Sequence, residues 1–219
     1  MTFVDWIPST LAVWAQLLPT VVVVRSWSRA PEARRWIAYW CLFFFVSDLL
    51  QLAISRSSGN NLWYFTFAEP VEDVLLLWAF SHWQVKPLAR IAVRASIPLV
   101  VVAYMLLIFA TGEQSTYKTI SHPFRALVFL LWTAYTLLSN LAHRPEGVWG
   151  RDWLWTSLGI LLYFGLFAAI DPIVAAIDPA DVRAMLLVYN ARAIGDVIAF
   201  VLIWRGMRCP LPRNLSGST

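Results

Sequence analysis

Eight ionisable side chains lie inside long apolar stretches of the sequence, where a charge is expensive to keep. A charged side chain at the centre of a bilayer costs about 2.5–3.5 kcal/mol on insertion scales. If these stretches cross a membrane, such groups must face the protein interior, pair with one another or line water. They are therefore the first candidates for a binding or proton-transfer site. The eight are Asp48, Glu69, Glu72, Asp73, Arg125, Asp171, Arg192 and Asp196.

Helical spacing gathers several of these groups on two faces, because residues three and four apart lie side by side on a helix. The two faces are Glu69, Glu72 and Asp73 in one apolar stretch, and Tyr189, Arg192 and Asp196 in another. Six carboxylates against two arginines leave an excess of acid. We expect at least one carboxyl group to carry a proton and to act as a proton donor, a proton carrier or half of a shared-proton pair.

The composition predicts that the elements holding these groups are membrane helices. The chain has 219 residues, of which 59% are hydrophobic and only 14% charged, whereas a soluble domain is about a quarter charged. Thirteen Trp and seven Tyr are typical of aromatic belts at the membrane interfaces. The net charge of +4 does not indicate a nucleic-acid partner, because the basic residues lie scattered between apolar runs.

Seven apolar runs are long enough to cross a bilayer, which takes about 20 helical residues. Runs of this length exclude a β-barrel, and we see no separate soluble domain. The sequence therefore predicts one all-α domain over 1–219, a bundle of seven transmembrane helices. The runs are 9–25, 36–54, 61–83, 90–111, 122–141, 153–177 and 183–205.

The basic residues predict the orientation, since cytoplasmic loops are rich in Lys and Arg. The first, third and fifth loops and the C-terminal tail hold twelve of the 17 basic residues, and the opposite side holds three. This pattern places the N-terminus outside and the C-terminus inside the plasma membrane. All eight intramembrane charges then lie between the outer surface and the midplane.

An internal repeat is one interpretation of the acid spacing. Asp48 and Asp73 are 25 positions apart, as are Asp171 and Asp196, and an offset of 123 superposes both pairs. Residues 9–83 and 122–206 would then be duplicated three-helix units joined by a linker helix at 90–111. The other interpretation is that apolar sequences resemble one another through composition alone. Under the repeat Glu69 and Arg192 are equivalent, and we expect an ion pair between them.

These observations predict an acidic intramembrane pocket that opens outward over an apolar floor. Its ligand would be a proton, a cation or a small polar molecule. We expect no cofactor and no metal site, because no His or Cys residues have metal-ligand spacing, and the seventh run has no Lys to hold retinal. A plain buried ion-pair network that fixes helix register is the alternative. The predicted binding residues are Asp48, Glu69, Glu72, Asp73, Arg125, Asp171, Tyr189, Arg192 and Asp196.

Two families resemble parts of the chain. The stretches "SDLLQLAISRSSGNNLWYFTFAEPVEDVLLLWAFSHWQ" and "VYNARAIGDVIAF" resemble small bacterial seven-helix membrane proteins that have no assigned activity. The motif Pro70-Val71-Glu72-Asp73 resembles the P-x-E-(E/D) motif of heterodimer-type lycopene cyclases. That second resemblance implies that Glu72 or Asp73 protonates a polyene. The corresponding stretch of the second unit, "AIGD", keeps only its last acid.

Three functions are therefore open. The protein is a sensor-like or transport-like membrane protein that binds a ligand in the acidic pocket, a carotenoid-cyclising enzyme, or an auxiliary subunit of a larger membrane complex. The bilayer is a partner in every case. An auxiliary subunit requires a second membrane protein, and a sensor would pass its signal through a partner.

Overall fold

A computed structural model of the protein describes residues 7–58, 61–114, 116, 118–144, 146–178 and 181–210. These residues form seven helices and no β-strand, which confirms the all-α class. Short 3-10 turns at Trp27–Arg29 and Val148–Gly150 lie in two of the connections. The helices are α1 (Ile7–Arg25, in two segments), α2 (Glu32–Ser58), α3 (Leu62–Trp83), α4 (Pro87–Thr111), α5 (Ser121–His143), α6 (Asp152–Ala176) and α7 (Val182–Met207).

Six of the helices, all except α3, are long and apolar enough to cross a membrane. Helix α3 differs because Glu69, Glu72 and Asp73 interrupt its apolar sequence. The outward faces of the other helices carry large exposed apolar side chains, for example Leu99 and Leu187. Lipid tails suit such surfaces better than water, because burying apolar area is favourable. The chain is a multi-pass membrane protein.

Six helices surround the centre of the bundle and α4 lies at its edge. Helix α1 packs on α2 and α7, α2 on α3, α5 on α6, and α6 on α7, while α3 contacts α5 directly. Helix α4 packs across α3 and α5. In a 3+1+3 repeat, α1 corresponds to α5 and α3 corresponds to α7. The α1–α7 contact then corresponds to the α3–α5 contact. This arrangement is compatible with the 3+1+3 repeat, which stays a prediction.

An aromatic cluster fills the middle of the bundle between α2, α6 and α7. The ring of Trp40 lies 5.8 Å from Phe200 and 6.2 Å from Tyr163, and Phe44 lies 5.7 Å from Tyr163. Trp40, Tyr163 and Phe200 are at most 2% exposed. Such contacts add about 0.5–1.5 kcal/mol each beyond area burial. The cluster separates the two ends of the bundle.

Helices α6 and α7 approach each other closely at two glycines. A Cβ on Gly159 would lie 2.6 Å from the Ala199 carbonyl oxygen, and one on Gly206 would lie 2.9 Å from the Asp152 carbonyl oxygen. No other residue type leaves room for these backbones, as is common where membrane helices pack. The close approach fixes α7, and therefore its polar face, against α6.

Candidate functional site

The two ends of the bundle differ, and the intramembrane charges lie at one of them. This end holds the N-terminal ends of α1, α3, α5 and α7 and the C-terminal ends of α2, α4 and α6. A cavity of about 670 Å³ opens there between all of these helices except α4. Its polar lining residues include Asp48, Glu72 and Asp196. We call it the acidic cavity.

A break in α1 places a polar side chain in the acidic cavity. Pro19 has no N–H to bond the Ala15 carbonyl, and the helix is interrupted at Gln16. The amide of Gln16 is buried and donates a 2.6 Å hydrogen bond to Asp48 Oδ2. In the described part of the chain, no basic side chain lies within 4.0 Å of the Asp48 carboxylate. Asp48 is thus a cavity-lining acid whose only close donor is neutral.

Arg125 of α5 binds all three carboxylates of α3. Its Nε lies 2.5 Å from Asp73 Oδ1, its Nη2 lies 2.7 Å from Glu72 Oε2, and its Nη1 lies 4.0 Å from Glu69 Oε1. All four side chains are at most 4% exposed. The shared face predicted from the spacing of Glu69, Glu72 and Asp73 is therefore the face that packs on α5.

Glu69 has further partners from α4, α5 and the loop between them. Tyr104 donates a hydrogen bond to Glu69 Oε2, Lys118 Nζ lies 3.2 Å from the same oxygen, and His122 Nε2 lies 2.7 Å from Oε1. Burial lowers the pKa of the Lys118 ammonium, and the Glu69 carboxylate beside it partly opposes this shift. Glu69 is thus the most fully satisfied acid of the site.

Glu113 shapes the loop that delivers Lys118. Gly112 ends α4 in the left-handed conformation, with φ of 73°, which a glycine adopts without strain. The Glu113 carboxylate then accepts hydrogen bonds of 2.8 Å from Ile120 N and 3.1 Å from Ser121 N, at the start of α5. Burial would raise the pKa of Glu113, but these hydrogen bonds outweigh it and hold the pKa below its ordinary value.

A second charged group surrounds Arg192 of α7. Its Nη1 lies 3.7 Å from Asp171 Oδ1 and its Nε lies 3.9 Å from Asp196 Oδ2. The guanidinium carbon stands 3.6 Å from the centre of the Phe167 ring, a cation–π contact. Asp196 Oδ1 is buried and accepts no hydrogen bond from the described residues. These two ion pairs are longer than the contacts of Arg125 with Glu72 and Asp73.

His122 joins the two groups. Its Nε2 faces Glu69 at 2.7 Å, and its Nδ1 lies 3.4 Å from Asp171 Oδ2. The imidazole thus stands between a carboxylate of α3 and a carboxylate of α6. A change of charge or position at either acid acts on the other through this ring. Around the whole site, six carboxylates surround three fixed cations, Arg125, Arg192 and Lys118.

Most of the predicted site residues lie together. Asp73 and Asp171 belong to the charged groups but stand behind the cavity wall. The seven that line the cavity are Asp48, Glu69, Glu72, Arg125, Tyr189, Arg192 and Asp196.

The expected ion pair between Glu69 and Arg192 is wrong. Glu69 is held by residues of α4, α5 and their loop, and Arg192 is held by acids of α6 and α7. Helices packed beside α3 and α7 supply these nearer partners. Glu69 and Arg192 are therefore each paired without contacting one another. Equivalence in a repeat does not determine which neighbour a side chain reaches.

The predicted site residues do not include Gln16, Tyr104, Lys118 and His122. Lys118 lies between two apolar runs, His122 is the first residue of one, and Tyr104 is one tyrosine in an otherwise apolar helix. A signal exists for His122, which precedes Arg125 by three positions and so shares its helical face. No comparable pattern marks Lys118, because its approach depends on the loop that Glu113 orders.

Within the described residues, no group of three or more His, Cys, Asp or Glu side chains is arranged to hold a metal ion. The cavity instead offers carboxylates, a guanidinium held over a ring and aromatic walls. These groups can bind a cation or exchange a proton. No family model, curated protein or solved structure matches the chain.

Proposed function

We propose that the acidic cavity binds a proton or a small cation, and that the protein is a sensor-like or transport-like component of a bacterial plasma membrane. Asp48 carries this proposal, because it lines a cavity and has no basic partner within 4.0 Å among the described residues. A carboxylate in such a cavity is costly to keep charged when its nearest donor is the neutral amide of Gln16. A bound cation would supply that partner.

The excess of acid around the cavity supports the same proposal. Even with a protonated His122, which lies between two of the carboxylates, the described basic side chains of the site supply four positive charges for six carboxylates. Asp196 Oδ1 also has an unused acceptor site among the described residues. A network that served only to fix helix register would gain nothing from unpaired acids. The auxiliary-subunit alternative, in which every acid is paired and no cavity remains, is therefore less well supported.

The membrane topology that we propose has seven spans, with the acidic cavity facing outward. Helix α3 has 22 residues, or about 33 Å at 1.5 Å per residue, which is enough to cross the hydrocarbon core. Its three carboxylates turn inward to Arg125, so they do not meet lipid. Basic residues such as Arg34, Arg90 and Arg151 lie toward the opposite end, as expected for a cytoplasmic face.

Binding would act through the charged group around Arg192. A cation beside Asp48 and Asp196 competes with Arg192 for the Asp196 carboxylate, 3.9 Å from it. Arg192 would then turn toward Asp171, which His122 links to Glu69. A ligand shifts a conformational equilibrium only by its difference in affinity for the two states. In the first state Arg192 pairs with Asp196, and in the second it pairs with Asp171. The change between them moves α7 relative to α3 and α5.

The test compares purified protein in phosphatidylcholine nanodiscs with its Asp48→Asn variant. Tetramethylammonium chloride should raise the thermal midpoint of the wild type more than the same concentration of sodium chloride does. At 100 times Kd, the gain in free energy of unfolding is about 2.7 kcal/mol. Asp48→Asn should lose most of this shift. Glu32→Gln, which removes one exposed acid at the opposite end, is the matched control. Equal shifts of the thermal midpoint in all three proteins would refute the proposal. It would also be refuted if tetramethylammonium shifted no midpoint and the wild type took up no protons on acidification.

A lycopene-cyclase-like enzyme is the second candidate, and one observation favours it. Glu72 of the Pro70-Val71-Glu72-Asp73 motif lines the cavity together with the apolar side chains Leu62 and Phe65. A polyene end could therefore reach its carboxyl group. Cells that make lycopene should accumulate cyclic carotenoids when they express the wild type and lose them with Glu72→Gln. An unchanged carotenoid profile with the wild type excludes this activity.

A further inference from the structure

The apolar and charged residues that α7 contributes to the acidic cavity are separated along its depth. On α7 the lining runs from Val182, Met185 and Leu186 to Arg192 and Asp196. Fourteen residues separate the first from the last, so the cavity is about 21 Å deep at 1.5 Å per residue. Its outer part on this helix is apolar and its inner part is charged.

Helices α1 and α3 repeat this order in part. Leu62 and Phe65 of α3 lie one to three turns nearer the mouth than Glu69 and Glu72, and Val13 of α1 lies one turn nearer the mouth than Gln16. Polar residues line the rest of the outer part, among them Gln51, Lys118 and His122. Tyr163 and Phe167 of α6 add rings at the inner part. We call the outer apolar zone the vestibule and the inner zone with Asp48 and Asp196 the acidic base.

We propose that the acidic cavity takes an elongated organic cation, with its cationic head at the acidic base and its apolar body in the vestibule. This inference rests on the proposed binding of a cation and specifies the chemical class of that ligand. An inorganic ion would use the base alone and leave the vestibule without a role. An apolar molecule without charge would leave Asp48 unpaired.

The aromatic residues of the base suit a quaternary or substituted ammonium group. Such heads are poorly hydrated and bind to aromatic faces as well as to carboxylates. Phe44 and Tyr163 line the cavity beside Asp48 and Asp196. The Arg192 guanidinium over the Phe167 ring, 3.6 Å from its centre, is a cation–π contact of the same kind within this part of the cavity.

The volume also matches an organic molecule. Ligand cavities for molecules of drug size hold roughly 300–1,000 Å³, and the acidic cavity holds about 670 Å³. A single hydrated ion needs a small part of this space. Met185 and Leu186 line the vestibule, and such side chains suit a hydrocarbon chain or ring.

Three probes separate head from body and charge from shape. Octyltrimethylammonium has both head and body, tetramethylammonium has the head alone, and octyl sulfate has a body with the opposite charge. Each is titrated calorimetrically, below its micelle-forming concentration, into the protein in phosphatidylcholine nanodiscs, with empty nanodiscs subtracted. Octyltrimethylammonium should bind one to one and about 100-fold more tightly than tetramethylammonium, since buried methylene groups favour binding. Octyl sulfate should give no signal above empty nanodiscs.

Variants assign the two zones. Asp48→Asn and Asp196→Asn should each weaken octyltrimethylammonium binding about tenfold or more, whereas the matched charge change Glu32→Gln should leave it within twofold. Leu186→Trp, which fills the vestibule without altering charge, should weaken octyltrimethylammonium more than tetramethylammonium. Thermal midpoints of each variant without ligand verify that the bundle is intact.

The outcomes distinguish this inference from the proposed function on which it rests. If tetramethylammonium binds in a manner that depends on Asp48 and the octyl chain adds no affinity, the inference of an elongated cation is overturned. The proposed binding of a small cation then still stands. Octyl sulfate binding as tightly as octyltrimethylammonium overturns the role of the acidic base. If neither octyltrimethylammonium nor tetramethylammonium binds, the inference is overturned, and the result counts against cation binding itself.

Discussion

Replacing Arg125 by Met removes the charge that binds the three carboxylates of α3 and keeps a side chain of similar length. The pairs lost are the 2.5 Å contact to Asp73, the 2.7 Å contact to Glu72 and the 4.0 Å contact to Glu69. All of these side chains are at most 4% exposed, so water cannot replace the guanidinium without opening the bundle.

The expected loss in free energy of unfolding is about 3–5 kcal/mol. Removing one partner of a buried ion pair typically costs that much, because the other charge stays buried. Two charged hydrogen bonds at about 1.5–3 kcal/mol each lead to a similar total. For a chain of this length, the change corresponds to a fall in the thermal midpoint of about 6–20 °C. The 13 tryptophans allow unfolding in nanodiscs to be followed by fluorescence.

Two further variants make this prediction specific. Arg192→Met is the matched control: its ion pairs are 3.7 and 3.9 Å long and the side chain is partly exposed, so we expect a loss of only about 1–2 kcal/mol. The triple change Arg125→Met, Glu72→Gln and Asp73→Asn removes the stranded charges and should recover at least half of the loss. Equal effects of Arg125→Met and Arg192→Met, or no recovery in the triple variant, would refute the reasoning.

Three other predictions concern packing, the loop between α4 and α5, and topology. Gly159→Ala should lower the free energy of unfolding by about 1–3 kcal/mol, because the added Cβ overlaps the backbone of α7; Gly165→Ala in the same helix, with open space around it, should not destabilise. The pKa of Glu113 is lowered from 4.5 in the folded protein, so its contribution to stability is complete above pH 4.5 and lost as the pH falls below that value. Glu113→Gln should therefore cost about 1 kcal/mol at pH 7 and flatten the acid part of a curve of thermal midpoint against pH. With Cys41 and Cys209 replaced by alanine, single cysteines at Thr116 and Glu146 should react, in intact cells, with a membrane-impermeant thiol reagent only at position 116. The reverse pattern would overturn the proposed orientation.

The sequence predicted the helices better than their ends. The apolar runs mark where each helix must lie in a bilayer, since an unpaired backbone is not tolerated there. Helix α2 extends four residues beyond its predicted run on each side, to Glu32 and Ser58. Polar residues continue a helix without adding to its apolar pattern, and so the pattern cannot locate the last turn.

The spacing of charges predicted which side chains share a face but did not predict their partners. Glu69, Glu72 and Asp73 had to point together, because positions three and four apart are neighbours on any helix. That they point at Arg125 depends on α5 lying beside α3, which is a property of helix packing. The absence of the Glu69–Arg192 pair follows from the same packing.

What the sequence determined by itself is an all-helical membrane chain with more acid than base inside it, because composition, length and helical period are local properties. Tertiary structure decided the rest. The break at Gln16 brings an amide to Asp48, the loop after Gly112 brings Lys118 to Glu69, and α5 brings Arg125 to the three acids of α3. Electrostatic pairing depends on distances of a few ångströms between distant parts of the chain, and only the folded bundle fixes those distances.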